Sequence, residues 1–105
     1  MMSRSLFAIV LALVSTSAAA QEQGIPEQGR AYADKVCAEC HLVTPEVGLS
    51  PMPGVKSFKE IANRPGMSAM ALGAWMQSEH ESMPHIVPAP DELNDVIAYI
   101  VSLKE

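Results

Sequence analysis

The chain has 105 residues, 7 of them basic and 12 acidic, for a formal charge of −5 at neutral pH. Nucleic acid and anionic lipid surfaces would repel such a balance at long range, which excludes both as expected partners. A chain of this length holds one domain, and so small a domain usually needs a staple besides its apolar core: a disulfide, a metal, or a bound group that joins the interior.

The N-terminal residues read as a targeting segment. Arg4 supplies a positive start, Leu6 to Val14 run apolar without a charge, and Ala18-Ala19-Ala20 offers the small-x-small pattern of a cleavage site. The expected division is therefore a signal peptide over 1–20, cleaved after Ala20, and a single periplasmic domain over 21–105. The apolar stretch is well short of the roughly 20 residues that span a bilayer, so no stable membrane insertion is expected after cleavage. Only Arg4 is lost from the charged set, leaving 6 basic residues against 12 acidic ones and a charge of −6. Partners should therefore present basic patches.

From Pro26 to Cys40 the pattern predicts a helix, with proline near the start, Glu27 and Gln28 in the first turn, and Ala31, Tyr32, Val36 and Cys40 on one broad face. Pro45, Gly48, Pro51, Pro53 and Gly54 then make 42–56 a loop that wraps around something. Ser57 and Glu60 have the spacing of a capping box for a short helix carrying Phe58, Ile61 and Ala62, which Asn63-Arg64-Pro65-Gly66 ends. Ser68 caps a helix over 69–78, in which Leu72, Trp75 and Met76 repeat at helical spacing. Prolines 84, 88 and 90 break 79–90 into a second loop. A last helix begins near Pro90 or Asp91, with Leu93, Val96, Ile97, Ile100 and Val101 on a wide apolar face and Lys104 at its end, where a cation suits the helix dipole.

Cys37-Ala38-Glu39-Cys40-His41 is the strongest motif. Two cysteines in an exported chain would ordinarily pair, but three positions apart a bridge would close too short a loop to constrain a fold. Thiols at that spacing can each add to a vinyl group of one porphyrin, and the histidine after the second lies where its imidazole reaches the iron. Covalent haem attachment outside the bacterial cytoplasm also agrees with the signal peptide. Two other chemistries use similar residues. A redox dithiol would follow a strand and open a helix in an alternating β/α pattern, whereas this motif closes a helix and no convincing strand run exists. A zinc site could combine Cys37, Cys40 and His41 with His80 or His85, but a second C-x-x-C or an H-x-x-x-H is missing.

With His41 as one axial ligand, the sixth position on the iron decides between electron transfer and ligand chemistry. A thioether there closes the site and raises the potential; an empty position admits ligands. Met70 and Met76 lie at helical positions beside Leu72 and Trp75 and read as core, and Met67 sits at a helix entrance. Met52 follows His41 closely and belongs more naturally on the histidine side. Met83 stands before Pro84 in an irregular segment between two helices, so its loop can cross the far haem face. Met83 is the expected ligand and Met52 the next candidate; His80 and His85 leave a His/His site as an alternative.

Gly29 to His41, Ser82-Met83-Pro84, and Glu92-Leu93-Asn94-Asp95-Val96-Ile97-Ala98-Tyr99-Ile100 together resemble the class I monohaem c-type cytochromes, in order and over nearly the whole domain. The resemblance implies an all-α cytochrome c fold, with N- and C-terminal helices crossing and shorter helices and loops wrapped around one haem. It also implies covalent haem c on Cys37 and Cys40 with iron held by His41 and Met83. Gly29, eight positions before the first cysteine, would meet Tyr99. Ala33 stands where relatives often carry an aromatic residue, and Tyr32 is the candidate to compensate. In the family a proline carbonyl accepts the proximal histidine's Nδ1 proton, a role for which Pro51 and Pro53 both qualify. Where relatives often read Ala-Pro-Ser-Phe, this chain has Val55-Lys56-Ser57-Phe58.

Filled axial positions imply outer-sphere electron transfer, hence a carrier rather than an enzyme; a monomer is expected, with an apolar pocket from Phe58, Trp75, Leu93, Ile97 and Ile100. Glu39, Glu79 and Glu81 are rim charges that could orient a basic redox partner, and Arg64 is a candidate for a haem propionate. The rival readings are a ligand-binding or catalytic haem protein with an open or displaceable sixth position, and a cytochrome subunit of a larger dehydrogenase or oxidase.

Overall fold

The computed structural model describes residues 24–78, 83, 86 and 88–105. Four helices follow in chain order, α1 (Pro26–Val36), α2 (Phe58–Ala62), α3 (Ala69–Met76) and α4 (Pro90–Ser102), and no strand occurs among the described residues. The all-α expectation holds. The proposed signal peptide, His80 and His85 lie outside the described residues.

Helix α1 opens on Pro26, whose fixed φ suits the first helical position, and carries Glu27 in its first turn and Lys35 in its last. Its entrance is held from a distance: the Ile25 N–H donates to Asp95 Oδ1 of α4 at 2.8 Å. The helix stops at Val36 instead of running to Cys40. Both the Cys37 and Ala38 N–H groups return to the Ala33 carbonyl, and the next turn closes on the Cys37 carbonyl instead of continuing the ladder.

The main helix–helix contact joins α1 to α4. Gly29 makes it possible, since a Cβ there would lie 1.9 Å from the Asp95 carbonyl oxygen and 2.9 Å from Tyr99 Cβ. The contact with Tyr99 implied by the resemblance is present. Ala33 is fully buried in this interface, and Tyr32 beside it packs half-buried against the core. Helix α4 contributes Val96, Ile97, Tyr99 and Ile100 to the buried set, with Leu93 and Val101 half-buried at its margins.

Both serine caps form. Ser57 Oγ accepts the Glu60 N–H and Ser68 Oγ accepts the Ala71 N–H, each at 3.1 Å. Asn63, at the end of α2, clamps the C-terminus: its Nδ2 donates to the carbonyls of Lys59 and Leu103, and its Oδ1 accepts the Glu105 N–H.

Helix α3 departs from expectation. Leu72 is buried, but Met70 is 85% exposed and does not fill the core as the sequence suggested, while Trp75, expected to line the haem pocket, is 55% exposed. Successive helical residues rotate by about 100°. Met70, two positions before Leu72, therefore points almost directly away from the one face that α3 turns inward, while Met76, four positions after it, shares that face and is half-buried.

Candidate functional site

The site grows from the end of α1. After Val36 the Cys40 and His41 N–H groups both bond the Cys37 carbonyl, at 3.2 and 2.9 Å, so one tight turn brings Cys37, Cys40 and His41 together. Both cysteines are free and half-buried. Burial pushes the Cys37 thiol up to about 11, so it is protonated at neutral pH. That is the opposite of the depressed thiol on which a redox dithiol depends.

The loop over 42–57 is tied back onto this turn at several points. The Leu42 N–H donates to Ser50 Oγ at 3.1 Å, the Met52 N–H to the Cys40 carbonyl at 3.4 Å, and the Phe58 N–H to the Leu42 carbonyl at 2.9 Å. Its return leg ends beside the imidazole, where His41 Nδ1 lies 2.6 Å from the Lys56 carbonyl oxygen. A carbonyl can only accept, so Nδ1 carries the proton and the Nε2 lone pair is left for a metal. Phe58 packs on the ring with centroids 5.4 Å apart and also meets Tyr99, with centroids 6.2 Å apart. Tyr99 in turn donates its buried hydroxyl to the Val43 carbonyl, two residues beyond His41. The histidine is thus positioned from both the loop and α4.

Neither Pro51 nor Pro53 supplies the acceptor for His41; Lys56 does. The resemblance points to a residue type, proline, where the fold uses a backbone atom. Any residue can offer a carbonyl, and the usable signal was register: Lys56 stands in Val55-Lys56-Ser57-Phe58 where relatives often have proline. Ser50 and Val43 were also missed, and their roles depend on how the loop folds back.

Met83 is half-buried, and of the segment around it only Met83, Ile86 and 88–89 are described. Met52 is 45% exposed, and its backbone is bonded to Cys40 on the leg that leads to Lys56. That leg approaches the Nδ1 side of the imidazole, away from the nitrogen left for a metal.

No family model matches the chain, and no solved structure matches it. Among curated proteins it is 32% identical over 96 residues to cytochrome c-552 of Bradyrhizobium diazoefficiens, covering 91% of this chain and 88% of that protein. The chain belongs to the small monohaem c-type cytochromes. Its cofactor is accordingly one covalently bound haem c, and its activity is electron transport. The donor set fits that group: two free thiols in one turn and an imidazole with Nδ1 protonated and Nε2 available. No described helix of the cytochrome is long and apolar enough to cross a membrane.

Proposed function

We propose that the cytochrome is a periplasmic single-electron carrier, with haem tethered through Cys37 and Cys40 and iron held between His41 and Met83. The observation that carries this reading is the His41–Lys56 hydrogen bond beside two free thiols in one turn, which orients an imidazole toward a metal next to two points of covalent attachment. Bound haem supplies the Fe(II)/Fe(III) couple. The chain's own residues do the rest. His41 keeps its proton on Nδ1 against the Lys56 carbonyl, which makes the imidazole a stronger donor. Phe58 and Ile97, both buried, and Leu93, half-buried, keep water from the site.

Met83 is favoured over Met52 because the Met52 leg is committed to the proximal side through Cys40 and Lys56. Two filled axial positions leave no vacancy for a substrate, so the protein acts as a carrier rather than an enzyme, and it works as a monomer. Residues 1–20 serve as the export signal and 21–105 as the haem domain.

The test is the visible spectrum of the oxidised periplasmic protein, with Met83→Ala beside it. A weak far-red charge-transfer band present in the wild type and lost in the variant supports His/Met ligation. A haem spectrum without that band at neutral pH would remove Met83 and bring forward a His/His or open site. Gel filtration of a periplasmic extract beside the pure protein separates a free carrier from a subunit of a larger complex.

A further inference from the structure

Helix α3 limits where Met83 can stand. Gln77 Nε2 donates to the Gly73 carbonyl at 3.0 Å and Ser78 Oγ to the Ala74 carbonyl at 2.6 Å, which closes the end of the helix. Met83 follows Ser78 by five residues, so even at full extension it lies within about 18 Å of that end. Beyond Met83 the chain enters α4, which α1 fixes through the close approach at Gly29. With α4 held, the placement of α3 is what remains to set the position of the methionine.

The protein holds α3 at few points. Among the described helices it packs against α4 alone. Leu72 is the one residue it buries, and Gly73 sits beside Ile97. A further hold lies at its entrance, where Lys104 Nζ donates to the Met67 carbonyl at 2.7 Å, one residue before the Ser68 cap. The sequence suggested that this cation serves the dipole of α4; the structure turns it onto the start of α3. Met67 is itself well placed to transmit the hold, since its side chain packs against the core and the turn before it is set by Gly66 at a left-handed φ of 78°.

The neighbours of Lys104 aim it. The Leu103 carbonyl accepts Asn63 Nδ2 at 3.2 Å, the Glu105 N–H donates to Asn63 Oδ1 at 2.8 Å, and the Glu105 carboxylate pairs with Lys59 at 2.7 Å. Three consecutive residues thus bond to 59–67, and the backbone is fixed on both sides of Lys104. Only side-chain freedom is left to lose when Nζ meets its carbonyl, and an ionised donor makes the stronger kind of hydrogen bond.

We propose that Lys104 is a positioning residue for the distal iron ligand: its bond to the Met67 carbonyl sets the entrance of α3, and α3 sets how firmly Met83 stays on the iron. The proposal rests on the His41/Met83 reading and adds what holds the methionine side. The histidine side is held by the Lys56 carbonyl and Phe58; the methionine side is held from the end of α4. A ligand that competes with Met83 binds in proportion to the fraction of molecules in which the sulfur is off the iron. In that exchange a ligand nitrogen replaces the thioether sulfur, and no electron or proton is transferred.

The test titrates the ferric holoprotein with neutral imidazole, followed by loss of the far-red band, in the wild type, Lys104→Met and Ala31→Gly. Ala31 is exposed within α1, so Ala31→Gly lowers global stability through helix propensity and leaves α3 untouched. Lys104→Met should bind imidazole about three- to fivefold more tightly, the effect of losing one exposed hydrogen bond from a charged donor. The amides of Ala71 and Leu72, in the first turn of α3, should exchange faster in the same variant. Ala31→Gly should bind imidazole as the wild type does. Wild-type affinity in Lys104→Met overturns the proposal. An equal gain in Ala31→Gly also overturns it, by assigning the effect to global stability. If the wild type lacks the band, or Met83→Ala keeps it, the His/Met reading itself falls and the positioning role with it.

Discussion

Gly29→Ala and Gly73→Ala add the same methyl group to two different helices, and they should move stability in opposite directions. At Gly29 the new Cβ would lie 1.9 Å from the Asp95 carbonyl oxygen and 2.4 Å from its carbon. Ordinary contact begins near 3.4 Å, so α1 and α4 would have to part by about 1.5 Å at this point. Neither obstructing atom can swing aside, because both belong to the α4 backbone. Alanine in a helix interior gains about 1 kcal/mol over glycine. Forcing a methyl into a packed interface costs about 1–3 kcal/mol, and more where backbone must shift. The separation also loosens Ala33, which is buried in the same interface. A net loss of about 2 kcal/mol follows, which for a domain of this size lowers the melting temperature by roughly 10 °C. At Gly73 the nearest atom is Ile97 Cδ1 at 3.8 Å, an ordinary contact at the end of a flexible side chain. There the propensity gain should survive, raising stability by up to about 1 kcal/mol. Thermal and denaturant melts of the two holoprotein variants, followed by far-ultraviolet circular dichroism, measure both signs. A Gly29→Ala protein that melts at or above the wild-type temperature would refute the close approach of the two helices.

Other perturbations probe the supports around the site. Tyr99→Phe leaves the buried Val43 carbonyl without its partner and should cost about 1–3 kcal/mol in a denaturant melt. Burial raises the Tyr99 phenol above its ordinary 10.0, so the native protein holds this proton more tightly than the unfolded chain. Its contribution is complete below pH 10 and declines as pH rises through the native value, so an alkaline loss of stability should be smaller in Tyr99→Phe than in the wild type. Asn63→Ala removes two donated bonds and one accepted bond at the C-terminal clamp; about 1–2 kcal/mol should be lost, with faster amide exchange at Glu105. Ser57→Ala deletes the α2 cap and should cost about 1 kcal/mol by the same melts.

Much of this protein is set by local chemistry and was therefore legible in the chain. Pro26 and Pro90 start helices because their fixed φ and missing N–H suit a first turn, and Ser57 and Ser68 cap the two between because their hydroxyls reach a backbone N–H three residues on. The C-x-x-C-H spacing likewise announces its own chemistry, since the residues that would tether haem and bind its iron are near neighbours. Tertiary structure decided what depends on contacts across the chain. The end of α1 at Val36 is set by the turn that gathers Cys37, Cys40 and His41. Met70 faces solvent because α3 offers the core only the Leu72 side, a matter of which direction its neighbours lie. The proton on His41 Nδ1 is directed by the carbonyl of Lys56, fifteen residues away. Every residue carries such a carbonyl, so residue type could not reveal which one the fold would bring to the ring.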